Sequence, residues 1–285
     1  IRHFCLSRGL GFVYNFHVMK LDIETKKIEA SIDQTGIGWL IFNNPDRHNA
    51  LSLEMWKGIG DAFEQFNDAN DVRAVIMRGA GGKAFVSGAD ISEFDKERAN
   101  ALQRETYGEV AGRATHWLNK FEKPLIALVE GYCIGGGLAT ALSADIRFAS
   151  PDSKFGIPAA KLGLGYEYEG LAKLARVVGP SRARDIMFSA RFMEAEEALA
   201  MGLINFIVSR DKIQDSCVEY ASLVAANAPL TVRAAKAALN AWERGGEEKE
   251  VVLVKELVDA CFNSEDYKEG RRAFGAKEKP VFKNR

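Results

Sequence analysis

The chain has 285 residues, 47% of them hydrophobic and 27% charged, with 38 Lys and Arg against 39 Asp and Glu. This is a globular composition, and a net charge of −1 with both signs interspersed excludes a nucleic-acid footprint or a basic membrane-surface patch. Cys5, Cys133, Cys217 and Cys261 form neither a CxxC zinc spacing nor a disulfide framework, and no apolar run approaches the roughly 20 residues that span a bilayer. The expectation is a soluble, cytoplasmic protein with reduced cysteines and no metal site, whose partner is a small molecule or another protein rather than nucleic acid or a membrane.

Residues 1–18, IRHFCLSRGLGFVYNFHV, contain Arg2 and Arg8 but no acid, and Met19 follows them. They read as a non-native or disordered N-terminal extension, with an acid-poor transit peptide as the rival reading. Alternation in KIEASID and the apolar GWLIFNN predict two strands joined by a turn at Gly36. Leu53, Trp56, Ile59, Phe63 and Phe66 then fall at helical spacing behind a Ser52 N-cap, and VRAVIMRG follows as a buried strand. Pro124 introduces the strand LIALVEG, three glycines and an apolar helix starting near Leu138, and DIRFAS is a further strand, so the pattern has parallel-sheet character. Beyond residue 180 the pattern turns helical: EAEEALAMG closes at Gly202, LINFIVS is a short strand, and three amphipathic segments follow. The chain divides into the extension 1–18, a core over 19–210 and a C-terminal helical region over 211–285.

Gly135, Gly136 and Gly137 stand where that helix must begin, at the end of a helix where unpaired N–H groups and the positive end of the dipole face outward. Glycine there lets a ligand touch the backbone, so the turn reads as an anion site, with tight helix–strand packing as the alternative. Neither GxGxxG nor GxxxxGK[ST] fits here, and GAGGKAF at 79–85 also fails, which disfavours a nucleotide phosphate. A second glycine element, AFVSGADISEF at 84–94, leaves a strand at Gly88 and offers another backbone N–H at Ala89. Two such donors can make an oxyanion hole.

Four segments in this order, NNPDRHNALS, GKAFVSGADISEF, KPLIALVEGYCIGGGLATALSADIRFAS with FGIPAAKLGLG, and SEDYKEGRRAFGAKEKP, make the chain resemble the crotonase superfamily, the enoyl-CoA hydratase/isomerase family, from about residue 27 onward. The resemblance implies an α/β fold of repeated ββα units with a helical C-terminal trimerisation region, a homotrimer or homohexamer, an acyl-CoA substrate and no cofactor beyond the CoA of that substrate. It places the thioester oxygen between the N–H groups of Ala89 and Gly136. It also implies substrate contacts from Arg47, His48, Ala50, Asp90, Ile91, Gly135 and Tyr166, with Lys277 near the C-terminus. Asp90 and Asp145, at strand–helix junctions, are expected to cap backbone N–H groups rather than to carry chemistry.

The sequence departs from the family at its acids. Hydratases of the family resemble GGGCEL and FGQPEINLG, whose two Glu hold the water, and the matching positions here are Ala139 and Ala159. Hydration needs a base and an acid within hydrogen-bond reach, and a methyl group is neither. Eight residues after Ala159, within GYEYEG at 165–170, stands Glu167, and family members that move double bonds in dienoyl-CoA place an acid at the matching position. Glu167 is therefore the expected base, partly desolvated between Tyr166 and Tyr168, with its proton affinity raised; Glu169 is the fallback. Double-bond isomerisation is favoured over hydration, hydrolysis or decarboxylation of an acyl-CoA is the enzymatic alternative, and a non-catalytic acyl-CoA-binding subunit is the rival of another class.

Overall fold

The computed structural model describes residues 18–90, 92 and 101–285, apart from the side chains of 101–104. The reading of residues 1–17 as an extension, and the position of Ile91, lie outside the described residues.

Strands β1 (Met19–Lys20), β2 (Ile28–Ile32) and β3 (Ile37–Phe42) open the fold as an antiparallel set, with Gly36 at a φ of 80° in the turn between the last two. Helix α1 (Leu53–Asp68) follows, and the Ser52 hydroxyl accepts from the Met55 N–H at 3.3 Å, the expected N-cap. Of the expected stripe, Ile59, Phe63 and Phe66 are buried and Leu53 and Trp56 half-buried, while Met55 and Ala62 complete the buried face. Strands β4 (Ala74–Gly79) and β5 (Ala84–Val86), helix α2 (Ala101–Lys120) and strands β6 (Leu125–Val129) and β7 (Tyr132–Ile134) lead into the six-residue helix α3 (Gly136–Ala141).

The chain continues through β8 (Ile146–Ala149), β9 (Lys154–Gly156), α4 (Tyr168–Val178), α5 (Pro180–Ser189), β10 (Met193–Glu194), α6 (Ala195–Ala200) and β11 (Phe206–Ile207). It ends in α7 (Ile213–Ala225), α8 (Pro229–Glu243), α9 (Glu248–Asn263) and α10 (Glu265–Ala276). The C-terminal region thus holds four helices where the sequence pattern predicts three amphipathic segments. The added break falls at Ser264, whose hydroxyl accepts from the Tyr267 N–H at 3.0 Å and starts a new helix one residue after the last ends.

Among the described residues the strands form two sheets, ordered β1-β2-β3-β4-β6-β8-β11 and β10-β9-β7-β5. The larger is parallel from β3 onward and buried on both faces, because alternate side chains of a strand point to opposite sides. Val75, Met77, Ala127 and Val129 join the core that α1 covers, while Ala74, Ile76, Ile126 and Leu128 meet Ile213, Cys217 and Ala221 of α7. The smaller sheet ends the functional turns. β5 and β7 run parallel and side by side, so the chain leaves both in the same direction, at Ser87–Ala89 and at Gly135.

Candidate active site

The two turns are fixed by different backbone devices. Past β5, the segment Arg47–Leu51 zips onto Ser87–Asp90. Ser87 N–H donates to the His48 carbonyl at 3.1 Å, Leu51 N–H to the Gly88 carbonyl at 2.8 Å, and Asp90 N–H to the Leu51 carbonyl at 2.9 Å. This is a parallel bridge in which Leu51 makes both bonds, to the residues on either side of Ala89, so the N–H of Ala89 is directed away from that partner. Past β7, Gly135 takes a φ of 55°, a left-handed value that glycine tolerates, and its N–H donates to the Gly156 carbonyl at 2.8 Å. The first intrahelical bond of α3 runs from Ala139 N–H to the Gly135 carbonyl at 3.0 Å, leaving Gly136 at the first position with a free amide.

The three glycines serve three purposes. A Cβ on Gly137 would stand 2.1 Å from the Val86 carbonyl oxygen, so this residue allows α3 to pack on β5. A Cβ on Gly136 would meet nothing closer than the Ala89 nitrogen at 3.9 Å and Leu51 Cδ1 at 4.0 Å. The space before Gly136 is therefore open and faces the other turn. On Gly135 the corresponding point lies 3.9 Å from Gly88 Cα and 3.9 Å from the Tyr166 hydroxyl oxygen, so that position opens onto a slot shared with Tyr166. Among the described residues neither the Ala89 nor the Gly136 N–H has a hydrogen-bond acceptor. Two unpartnered backbone donors beside one open space can hold an oxygen that gains negative charge.

Asn49 holds this arrangement and was not singled out by the sequence reading. It is fully buried with a φ of 57°; its Nδ2 donates to the Ala80 and Ala84 carbonyls at 3.0 and 2.8 Å, and its Oδ1 accepts from Asn44 N–H at 2.9 Å. One side chain thus ties the loop that bridges Ala89 to both ends of the connection into β5. The signal lay inside NNPDRHNALS: Asn is the residue most at ease in the left-handed region after Gly, and its amide mimics backbone.

The remaining expected substrate contacts scatter around this centre. Arg47 and His48 are exposed and Ala50 half-buried on the segment that bridges Ala89, and the His48 ring meets the Tyr132 ring edge-on at 6.3 Å. Asp90 Oδ1 accepts from the N–H and hydroxyl of Ser92 at 3.0 and 2.6 Å, and Asp145 Oδ2 accepts from Leu125 N–H at 2.7 Å and from Lys236 at 2.8 Å. Both acids hold local structure. Lys277 occupies the C-cap of α10 with a φ of 56° and is exposed.

The proton-transfer stretch corrects one expectation. Ala139 lies one turn into α3, half-buried, and Ala159 is buried on a short 3-10 helix (Pro158–Leu162), where its methyl group packs in the main core. Glu167 occupies the N-cap position of α4 without a capping hydrogen bond, and Glu169 lies in its first turn; both are exposed in the chain. The desolvation expected of Glu167 is therefore absent here. The physical reason is that only one flanking tyrosine turns inward. Tyr168 is 79% exposed, whereas Tyr166 is half-buried against the main core, and burial pushes its phenol above the usual range.

The fold is a mixed α/β architecture whose candidate site is a backbone-built anion pocket between two parallel strand exits. Comparisons with known proteins identify the family of this fold. A family model described as enoyl-CoA hydratase/isomerase matches residues 33–285, and the chain belongs to that family. A short-chain-enoyl-CoA hydratase of Clostridium acetobutylicum is 35% identical over 244 residues, 85% of this chain and 93% of that protein. A crotonyl-CoA hydratase of Syntrophomonas wolfei is 32% identical over 243 residues, with 85% and 93% covered. Among solved structures, an enoyl-CoA hydratase/carnithine racemase from Magnetospirillum magneticum superposes with a TM-score of 0.84 at 38% identity, covering 92% of this chain and 97% of that one.

Proposed function

We propose that the chain is an enzyme acting on an acyl-CoA thioester, whose carbonyl oxygen sits between the N–H groups of Ala89 and Gly136 while an α- or γ-proton is removed. The electron pair of the broken C–H bond moves onto that oxygen as an enolate, and a donor prepaid in orientation contributes about 3 kcal/mol to the transition state. The single observation that carries this reading is the pair of unpartnered amides flanking an open space. The names of the similar proteins supply the acyl-CoA class.

With alanine at positions 139 and 159, the site lacks the carboxylates that hold water in the hydratases it resembles, which favours moving a double bond over hydrating one. Glu167 is the proposed base, with Glu169 as fallback; their exposure requires that bound substrate or a neighbouring subunit covers them. Assembly into a trimer or hexamer is part of the proposal. It is supported by α9, which buries no residue in the chain and exposes Val251, Val252, Leu253 and Phe262.

The test follows exchange of substrate hydrogens with deuterated water by NMR, and isomerisation against hydration by chromatography, in wild type, Glu167→Gln and Glu169→Gln. The expected result is exchange and double-bond migration that fall about 100-fold in Glu167→Gln and little in Glu169→Gln. Rapid hydration that survives Glu167→Gln overturns the assignment.

A further inference from the structure

The cationic heads of Lys123, Lys173 and Arg147 are committed to protein acceptors. The Lys123 ammonium donates to the Phe66 and Ala69 carbonyls at 2.7 and 2.6 Å, that of Lys173 to Asn119 and Ser143 at 2.6 and 3.1 Å, and the Arg147 Nε to the Leu203 carbonyl at 2.7 Å. Tyr166 differs. Its ring packs against the main core and lies 3.8 Å from the point a Cβ would occupy on Gly170, yet among the described residues its hydroxyl has no hydrogen-bond partner.

That hydroxyl is placed on the candidate site. It stands 3.9 Å from where a Cβ on Gly135 would be, while the equivalent point on Gly136 stands 3.9 Å from the Ala89 nitrogen. The hydroxyl therefore stands beside the glycine turn that carries one of the two free amides, next to the residue preceding Gly136. From there it can face the acyl group of a thioester whose oxygen the amides hold. Burial keeps the phenol protonated through the neutral range, so it acts as a donor.

We propose that Tyr166 is a specificity-determining residue that donates a hydrogen bond to an oxygen carried on the acyl group, on the third carbon of the thioester, so that the site prefers oxygen-bearing acyl groups to plain hydrocarbon ones. The inference rests on the acyl-CoA reading above. A hydrocarbon chain in the slot would strip water from the hydroxyl and return nothing, whereas an acceptor oxygen replaces that water. A desolvated, unpaired donor of this kind corresponds to about 10- to 100-fold in affinity.

The experiment measures binding of acetoacetyl-CoA and butyryl-CoA by calorimetry to wild type, Tyr166→Phe and Tyr168→Phe. The two thioesters share a carbon skeleton and differ by a ketone oxygen that can only accept. The expected result is a preference for acetoacetyl-CoA of 10-fold or more in wild type and in Tyr168→Phe, falling to within about 3-fold in Tyr166→Phe, where butyryl-CoA binds more tightly than to wild type because the unpaired donor is gone. Tyr166→Phe retains the packed ring, so its thermal midpoint should match wild type. Equal affinities in wild type, or an undiminished preference in Tyr166→Phe, overturns the role of the hydroxyl while leaving the acyl-CoA reading intact. Wild type that binds neither thioester overturns both.

Discussion

The turn at Gly135–Gly137 and the stretch Gly165–Glu169, which meet at the Tyr166 hydroxyl, are built in opposite ways. The turn is made of backbone. Its amides are aimed by sheet register, by the Leu51–Ala89 bridge and by helix α3, and no side chain in it could donate or accept a proton. The stretch is made of side chains, two carboxylates and two phenols, set between an exposed loop and the first turn of α4. The difference teaches how a family can hold one kind of charge stabilisation while its proton chemistry varies. A backbone donor depends only on the fold, whereas a side-chain acid depends on a single residue, and positions 139 and 159 hold alanine.

Two adjacent glycines give the hardest test of that contrast. Gly137→Ala drives a methyl group to 2.1 Å from the backbone oxygen of Val86, which cannot swing aside, so the protein should lose about 3 kcal/mol or more of stability, read as urea midpoint. Gly136→Ala has 3.9 Å of room and should melt like wild type, yet its methyl group fills the space between the donors, and turnover should fall about 100-fold. A Gly136→Ala enzyme with full activity would remove this turn from the mechanism.

Asn49 tests whether the backbone-built half depends on a side chain behind it. Asn49→Ala leaves the Asn44 N–H and the Ala80 and Ala84 carbonyls without their partner, and should cost about 2 kcal/mol in chemical denaturation. Asn49→Asp keeps the acceptor but sets a buried carboxylate oxygen against the Ala80 and Ala84 carbonyls, and should be no more stable than Asn49→Ala.

The smallest effect concerns a buried charge, in contrast to the exposed acids of 167–169. Lys123, only 7% exposed, has its pKa lowered from 10.5 to about 8, chiefly by burial. Between those values the unfolded chain binds more protons than the folded one, so stability should rise as pH increases from about 8 to 10.5 and be lowest below 8. Lys173, likewise lowered to about 8 by burial, shares the trend. Lys123→Met should therefore flatten the rise in part, measured as thermal midpoint across that range.

Much of the framework is legible in the residues because local rules decide it. The Ser52 cap, the α1 stripe and the Gly36 turn depend on side chains within a few positions of one another. The break at Ser264 is harder to read, since helical spacing continues through it and only the serine hydroxyl marks the new start. The candidate site divides the same way. Glycines before a helix announce free amides at Gly136, but the role of Asn49 depends on carbonyls 31 and 35 positions away and is invisible to any local window.

Sequence by itself determined that this is an α/β chain with glycine-opened turns at Gly88 and Gly135–Gly137, and that alanine stands at positions 139 and 159. Those facts follow from residue type and spacing, because glycine geometry and the absence of a titratable group are properties of single residues. Tertiary structure decided that the Ala89 and Gly136 amides share one space, that Gly137 serves packing while its neighbour stays open, and that Tyr166 turns inward while Glu167 and Glu169 remain exposed. Burial and direction depend on what the rest of the chain brings alongside, and for α4 that was fixed by a core sealing its Leu174 and Val178 face, with no sign of it in the alternation of tyrosine and glutamate.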